Sequence, residues 1–139
     1  MKFLNCLALL SILSAIFLIG LITFWLNYNY QPLVFNDPVM PVLTKTVRAG
    51  ETLRYVSNFC KNTNEPATVS RRFINGIVFA TPVIITKSEK GCQEKTVAVS
   101  VPLELLEGPY RLSIVYQYKV NPLRTITVVQ DTETFEVIK

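Results

Sequence analysis

This sequence predicts a mainly β protein: a single apolar helix at the N-terminus, followed by an antiparallel β-sandwich of seven or eight strands. Three observations carry that expectation. The 24 residues from Phe3 to Leu26 hold no charge. From Val42 onward the continuous apolar block gives way to short alternating runs broken by turn residues. Outside the first segment, helical periodicity is almost absent.

The N-terminal segment comes first because it decides the address. At about 1.5 Å per residue, a helix from Phe3 to Leu26 crosses a hydrocarbon core of about 30 Å with some tilt to spare. A secretory signal has a shorter apolar region, about 7 to 15 residues, and a small-x-small cleavage site. The nearest candidate, Leu13 to Ala15, lacks the first small residue and is followed by more apolar chain. Cleavage there would leave a greasy end, so retention is the expectation. Cys6 lies too early for a lipoprotein-type site and reads as a small apolar helix residue. Trp25, Tyr28 and Tyr30 cluster where the helix would leave the bilayer, as amphipathic rings prefer. Lys2 flanks one end, whereas the next basic residue is Lys45. That bias predicts a cytoplasmic N-terminus and a domain outside, periplasmic or extracellular. Residues 1–28 are thus read as a signal-anchor whose lipid contact runs from Phe3 to Leu26 with Trp25 and Tyr28 at the interface. Ser11, Ser14 and Gly20 are small enough for close helix packing, a role that single-span anchors do not require.

Residues 29–41 carry Pro32, Pro38 and Pro41. Proline removes amide donors and fixes φ, so this piece should be extended, a stalk holding the domain off the membrane. Its apolar members, among them Leu33, Val34, Phe35 and Val39, leave room for a first edge strand.

Within 42–139 the strand candidates are Val42–Arg48, Thr52–Lys61, Ala67–Ile74, Ile77–Lys87, Lys95–Leu103, Tyr110–Val120, Arg124–Gln130 and Thr132–Ile138. The clearest runs from Tyr110: Tyr110, Leu112, Ile114, Tyr116, Tyr118 and Val120 share one face, and Arg111, Ser113, Gln117 and Lys119 the other. Turn chemistry separates the runs at Ala49–Glu51, Asn75–Gly76, Ser88–Gly91, Glu107–Pro109 and Asn121–Pro122. A single helical turn is possible within Pro102–Gly108. Short strands in this number and a bridge between two of them suggest an immunoglobulin-like sandwich, with a small closed barrel as the alternative.

The bridge is Cys60–Cys92. These are the two cysteines beyond the helix, an even number in a segment assigned to an oxidising compartment. Closing the loop between them would stabilise the domain by about 3–4 kcal/mol in the chain-entropy model. Two reduced, buried thiols are the alternative.

The stretch VPLELLEGPYRLSIVYQYKVNP (Val101–Pro122) resembles the end of many bacterial and phage immunoglobulin-like domains, where a proline-led phrase and a glycine turn precede a Tyr-x-Leu strand. The anchor-plus-sandwich layout is similar to that of small membrane proteins encoded by tailed bacteriophages. The resemblance implies the fold and an envelope setting; it transfers no functional residue, because that fold class has no common site.

Chemistry is mostly excluded. The chain has no histidine, so Ser-His-Asp and Cys-His arrangements are impossible. Two cysteines cannot make a four-ligand zinc site, and their spacing is not C-x-x-C. No phosphate-cradling glycine motif occurs, so no catalytic residue, metal ligand or cofactor is assigned. The absence of an N-x-S/T acceptor fits a bacterial or viral chain.

Thirteen of the fourteen basic residues and nine of the ten acidic ones follow Pro41. Arg71 and Arg72 are adjacent, and Lys119 and Arg124 flank a tyrosine-rich strand. Stacking on Tyr116 and Tyr118 beside that charge would suit nucleic acid, but the expected location and the lack of a basic run argue against it. A solubilising surface accounts for the charge, and attraction to anionic headgroups or an acidic partner is the functional counterpart.

Two function classes follow. One is a membrane-anchored, non-enzymatic interaction module that presents loops or an edge strand to an envelope or phage protein. The other is an envelope hydrolase using paired carboxylates such as Glu104 with Glu107 or Glu133 with Glu136. Spacing of three on a strand puts such pairs on opposite faces, which disfavours the second.

Overall fold

The structure, a computed structural model, describes residues 2–28 and 30–139, with side chains of the helix from residue 7 onward. Helix α1 spans Lys2–Asn27. No residue of its Leu7–Asn27 stretch is fully buried, and the stretch is long and apolar enough to cross a membrane. Its hydroxyls are satisfied from within: Ser11, Ser14 and Thr23 donate to the carbonyls of Ala8, Ser11 and Ile19. No side-chain oxygen among these three is left asking for water, which suits an apolar surrounding.

Ten strands follow among the described residues, not seven or eight: β1 Leu33–Phe35, β2 Thr46–Arg48, β3 Thr52–Lys61, β4 Ala67–Asn75, β5 Ile77–Ala80, β6 Ile84–Thr86, β7 Gly91–Ser100, β8 Gly108–Asn121, β9 Arg124–Asp131 and β10 Phe135–Ile138. Two differences account for the count. The run expected at Ile77–Lys87 is split around Thr81–Val83, where Pro82 cannot donate to a ladder. The supposed stalk contributes β1. The expected helical turn near Leu105 is a bare turn, in which Leu105 N–H donates to Pro102 C=O at 3.3 Å.

The strands form two sheets. The first has the order β1-β3-β7; the second has β2-β10-β8-β4-β5, with β6 also on β4 and β9 also on β8. Among the described residues every strand pairing is antiparallel except β2 with β10, which is parallel, as is the isolated bridge between Met40 and Thr132. The all-antiparallel expectation is therefore corrected to a mixed sheet. That parallel pair exists because β2 enters from the far end of the chain and lands beside the last strand.

Strands β9 and β10 follow one another along the same side of β8. The register passes from Ser113↔Asp131 to Tyr110↔Phe135 with one extra residue, a bulge at Thr132–Thr134. Thr132 bridges it: its amide donates to Leu112 C=O at 2.9 Å and its Oγ1 accepts from Leu112 N–H at 3.0 Å. A second bulge lies where β5 gives way to β6 on β4, between Arg72↔Ala80 and Val69↔Ile84. There Thr81 N–H donates to Arg71 C=O.

Inward rows of both sheets share one core. Leu53, Tyr55 and Val99 of the first sheet meet Val69, Phe73, Leu112, Ile114, Phe135 and Val137 of the second. Phe73 and Phe135 pack edge to face at 6.2 Å.

Residues 33–48 are not a spacer. After β1 pairs with β3, Met40 forms a parallel bridge with Thr132 of the other sheet, Val42 returns to bridge Tyr55, and β2 then joins β10. Leu33, Met40 and Val42 are buried. The boundary expected at residue 42 is corrected: the packed domain begins near Leu33, because these side chains complete its core. This lacing closes one flank of the sandwich. On the opposite flank β7 and the β5–β6 edge face each other without pairing.

Gly50 shows why a glycine ends the first lacing turn. Its φ is +87°, and a Cβ there would meet Leu103 Cδ2 at 2.7 Å.

Candidate functional site

The anchor residues lie where the helix meets the domain. Asn121 Nδ2 donates to Trp25 C=O at 3.0 Å, and Arg124 donates to the carbonyls of Leu26 and Tyr28. The last turn of a helix leaves carbonyls without intrahelical partners, and a cation is favoured there. The tip of the β8–β9 hairpin thus caps α1. Tyr28 stacks on Tyr30, whose hydroxyl donates to Asn62 C=O at 2.6 Å. Leu26 is exposed and Trp25 half-buried. The side chain of Phe3 and the whole of Asn29, which adjoins the expected anchor–stalk boundary, lie outside the described residues.

Cys60 and Cys92 are bonded. They are opposed in register on neighbouring strands β3 and β7, so the bridge lies within one sheet and does not join the two.

The open flank carries an apolar edge. Ile77, Val78, Val83 and Ile85 on or beside β5 and β6 are each more than half exposed. Both strands pair only with β4, so their outer edges are free among the described residues.

Behind that flank, between the sheets, lies a cavity of about 260 Å³. Period-two alternation explains its lining. The inward row of β4 reads Ala67, Val69, Arg71, Phe73: three buried apolar residues and a cation. The inward row of β3 reads Leu53, Tyr55, Ser57, Phe59, Lys61, and β8 adds Tyr116 and Tyr118. These rows converge on the cavity, with Phe35 closing one wall by packing on Tyr116 at 5.5 Å. Two buried polar atoms there, Ser57 Oγ and Arg71 Nε, have no well-formed hydrogen bond among the described residues.

Burial raises the pKa of Tyr116; the nearby Tyr55 and Tyr118 add to the rise, while the Arg71 charge and a hydrogen bond with the neighbouring Ser57 hydroxyl oppose it. Burial raises Tyr55 against the pull of Arg71, and raises Tyr118. Lys61, only 1% exposed, donates to Ser88 C=O at 2.6 Å; desolvation lowers its pKa, Glu65 opposes this and Lys95 adds to it.

Sequence reasoning placed Arg71 beside Arg72 as a surface pair. The structure separates them: Arg72 is exposed and Arg71 turns into the sandwich. The signal was the alternation of Ala67–Phe73, in which Arg71 falls on the apolar row. The paired carboxylates are spoken for in part. Glu133 accepts from Val42 N–H, and Glu107 from Lys139 N–H. No group of three or more possible metal ligands occurs among the described residues.

No family model matches the chain, and no curated protein matches it. Among solved structures it is similar to a CARDB domain from Pyrococcus furiosus, crystallised in complex with di-metal ions, at 13% identity and a TM-score of 0.34, over 81% of this chain and 97% of that one. At that score the likeness says nothing of site or chemistry. The two-sheet architecture rests on the pairings and the shared core above.

Proposed function

We propose that this chain is a membrane-anchored, non-enzymatic protein-interaction module of immunoglobulin-like type. In this reading α1 spans the inner membrane with its N-terminus in the cytoplasm. The sandwich stands in the periplasm, and the partner is an envelope or phage protein, consistent with a phage-encoded chain acting on the host envelope. The observation that carries it is the open flank. An edge with free backbone donors and acceptors, bearing Ile77, Val78, Val83 and Ile85 in the open, is the kind of surface to which an extended protein segment adds as a strand. Lone exposed apolar residues are ordinary, but a run of them along an unpaired edge marks an interaction surface or an aggregation hazard. The hairpin cap on α1 supports the same reading, since it sets the orientation of that edge to the helix.

The test is site-specific photo-crosslinking in intact membranes, with the photoreactive residue at 83 or 85 and, as control, at Thr125. A defined heterologous protein adduct from 83 and 85 but not 125 is expected. Adducts absent from all three positions, or equal at all three, would overturn the proposal.

A further inference from the structure

The cavity between the sheets is a different surface from the apolar edge, and its chemistry points to a different occupant. Its lining contains three cations, Arg71, Lys87 and Lys95, and no carboxylate. Arg71 comes from the inward row of β4, and Lys87 and Lys95 stand exposed at the mouth. The floor is apolar and aromatic: Leu33, Phe35, Val69 and Tyr116. Ser57 is 1% exposed, and its Oγ, beside the Tyr116 hydroxyl, has no well-formed hydrogen bond among the described residues; nor has Arg71 Nε, although the guanidinium lies beside the Tyr55 hydroxyl. Buried polar groups are nearly always hydrogen-bonded, so two donors left short of acceptors on facing walls of one cavity, one of them on a guanidinium, mark a site for an acceptor ligand.

We infer that this cavity binds a small monocarboxylate with an apolar body, its carboxylate on Arg71 and Ser57 and its hydrocarbon or ring against Phe35 and Tyr116. A guanidinium presents parallel N–H donors that match a carboxylate, and a hydroxyl adds a third donor. A cavity of about 150 Å³ already holds a benzene ring. The 260 Å³ here therefore has room for a ring and a short acid-bearing chain. Lys87 and Lys95 at the entrance attract an anion and disfavour a cation. This inference goes beyond the proposed partner binding and stands whether or not the edge recruits a protein.

The experiment is calorimetric titration of the full chain in neutral-lipid nanodiscs with 3-phenylpropanoate and, separately, with 3-phenylpropanamide, its uncharged counterpart. The acid is expected to bind at least about tenfold more tightly than the amide, the usual worth of a charge-assisted contact. Arg71→Gln should abolish that preference, and Arg72→Gln, on the outer face, should leave it unchanged. Lys95→Gln, at an exposed position that does not support the core, should weaken the acid about two- to threefold at low salt, so the charge requirement is tested even if Arg71→Gln fails to fold. Equal affinity for acid and amide, no binding of either, or full acid affinity in the Arg71→Gln chain would each overturn the assignment.

Discussion

Replacing Met40 by alanine tests whether residues 33–41 are core or spacer. Met40 is 1% exposed, its amide donates to Asp131 C=O at 2.9 Å, and its carbonyl accepts from Glu133 N–H at 2.9 Å. The backbone contacts survive the substitution, so the loss is that of the side chain alone. Truncating a fully buried methionine to alanine costs about 2–5 kcal/mol. Against a total of about 5–15 kcal/mol for a domain of this size, that is roughly a third of the stability. Urea unfolding of the full chain in detergent reads it, with far-UV circular dichroism as the probe. Tryptophan fluorescence is unsuitable, because the one tryptophan, Trp25, sits in the helix. With a slope of about 1–2 kcal/mol per molar urea, the midpoint should fall by about 1–5 M. Val39→Ala is the control: Val39 is 44% exposed, and truncating so exposed a side chain should move stability by no more than about 0.5 kcal/mol. If Met40→Ala and Val39→Ala unfold at the same urea concentration, the lacing argument is wrong and the segment is a stalk after all.

Other perturbations follow from the same geometry. Cys60→Ser with Cys92→Ser opens a loop of sequence separation 32, and chain entropy sets the expected loss at about 3–4 kcal/mol; a change below about 1 kcal/mol in the same urea assay would contradict that account. Thr132→Val leaves the buried Leu112 N–H without its side-chain acceptor and should cost about 1–3 kcal/mol, whereas Thr132→Ser should restore most of it. Because Tyr55, Tyr116 and Tyr118 are all raised from 10.0 by burial, the unfolded chain loses protons above that pH that the fold retains. Stability should then fall with rising pH, by up to about 1.4 kcal/mol per pH unit for each phenol. Lys61 works the opposite way, since its folded pKa lies below the usual 10.5, but its contribution ends there, where the unfolded ammonium has also lost its proton. Tyrosinate absorbance at alkaline pH should lag until circular dichroism shows unfolding; complete ionisation with the dichroism intact would refute the buried-phenol picture. Finally, Arg124→Gln together with Asn121→Ala removes the hairpin's cap on α1. Protease cleavage between Leu26 and Gln31 should accelerate several-fold while domain stability changes by less than about 1 kcal/mol.

Local patterns carry local information, and here they reached far. The charge-free run at the N-terminus marked a helix, because its length and apolarity do not depend on any neighbour. Alternation marked β3 over the same residues, Thr52–Lys61, and put Tyr110, Leu112 and Ile114 on the buried face of β8, because period two is a property of the strand itself. Asn75–Gly76 marked a turn for the same reason: Gly76 has a φ of +65°, which a Cβ disfavours. The lacing of residues 33–48 was legible only in part: an edge strand near Leu33 and a strand within Val42–Arg48 were readable, their partners were not. Prolines and polar residues read as a spacer until long-range pairing with Tyr55 and Thr132 makes Leu33 and Met40 core. The parallel β2–β10 pair was equally hidden, since it pairs Thr46–Arg48 with Glu136–Ile138, ninety residues further along the chain.

The candidate site divides along the same line. That Arg71 shares a row with Val69 and Phe73 was written in the chain, and alternation alone would have pointed it inward. That this row faces Ser57 and Tyr55 across a cavity, rather than packing on apolar partners, was decided by which strands the two sheets set opposite each other. So the amino-acid order by itself determined an apolar helix, a set of β-strands and the face each residue takes, all consequences of backbone period. Only the tertiary structure decided which flank closes, which stays open, and that the inward cation of β4 and the Ser57 hydroxyl line one cavity behind it, because those depend on strand order and register between distant segments.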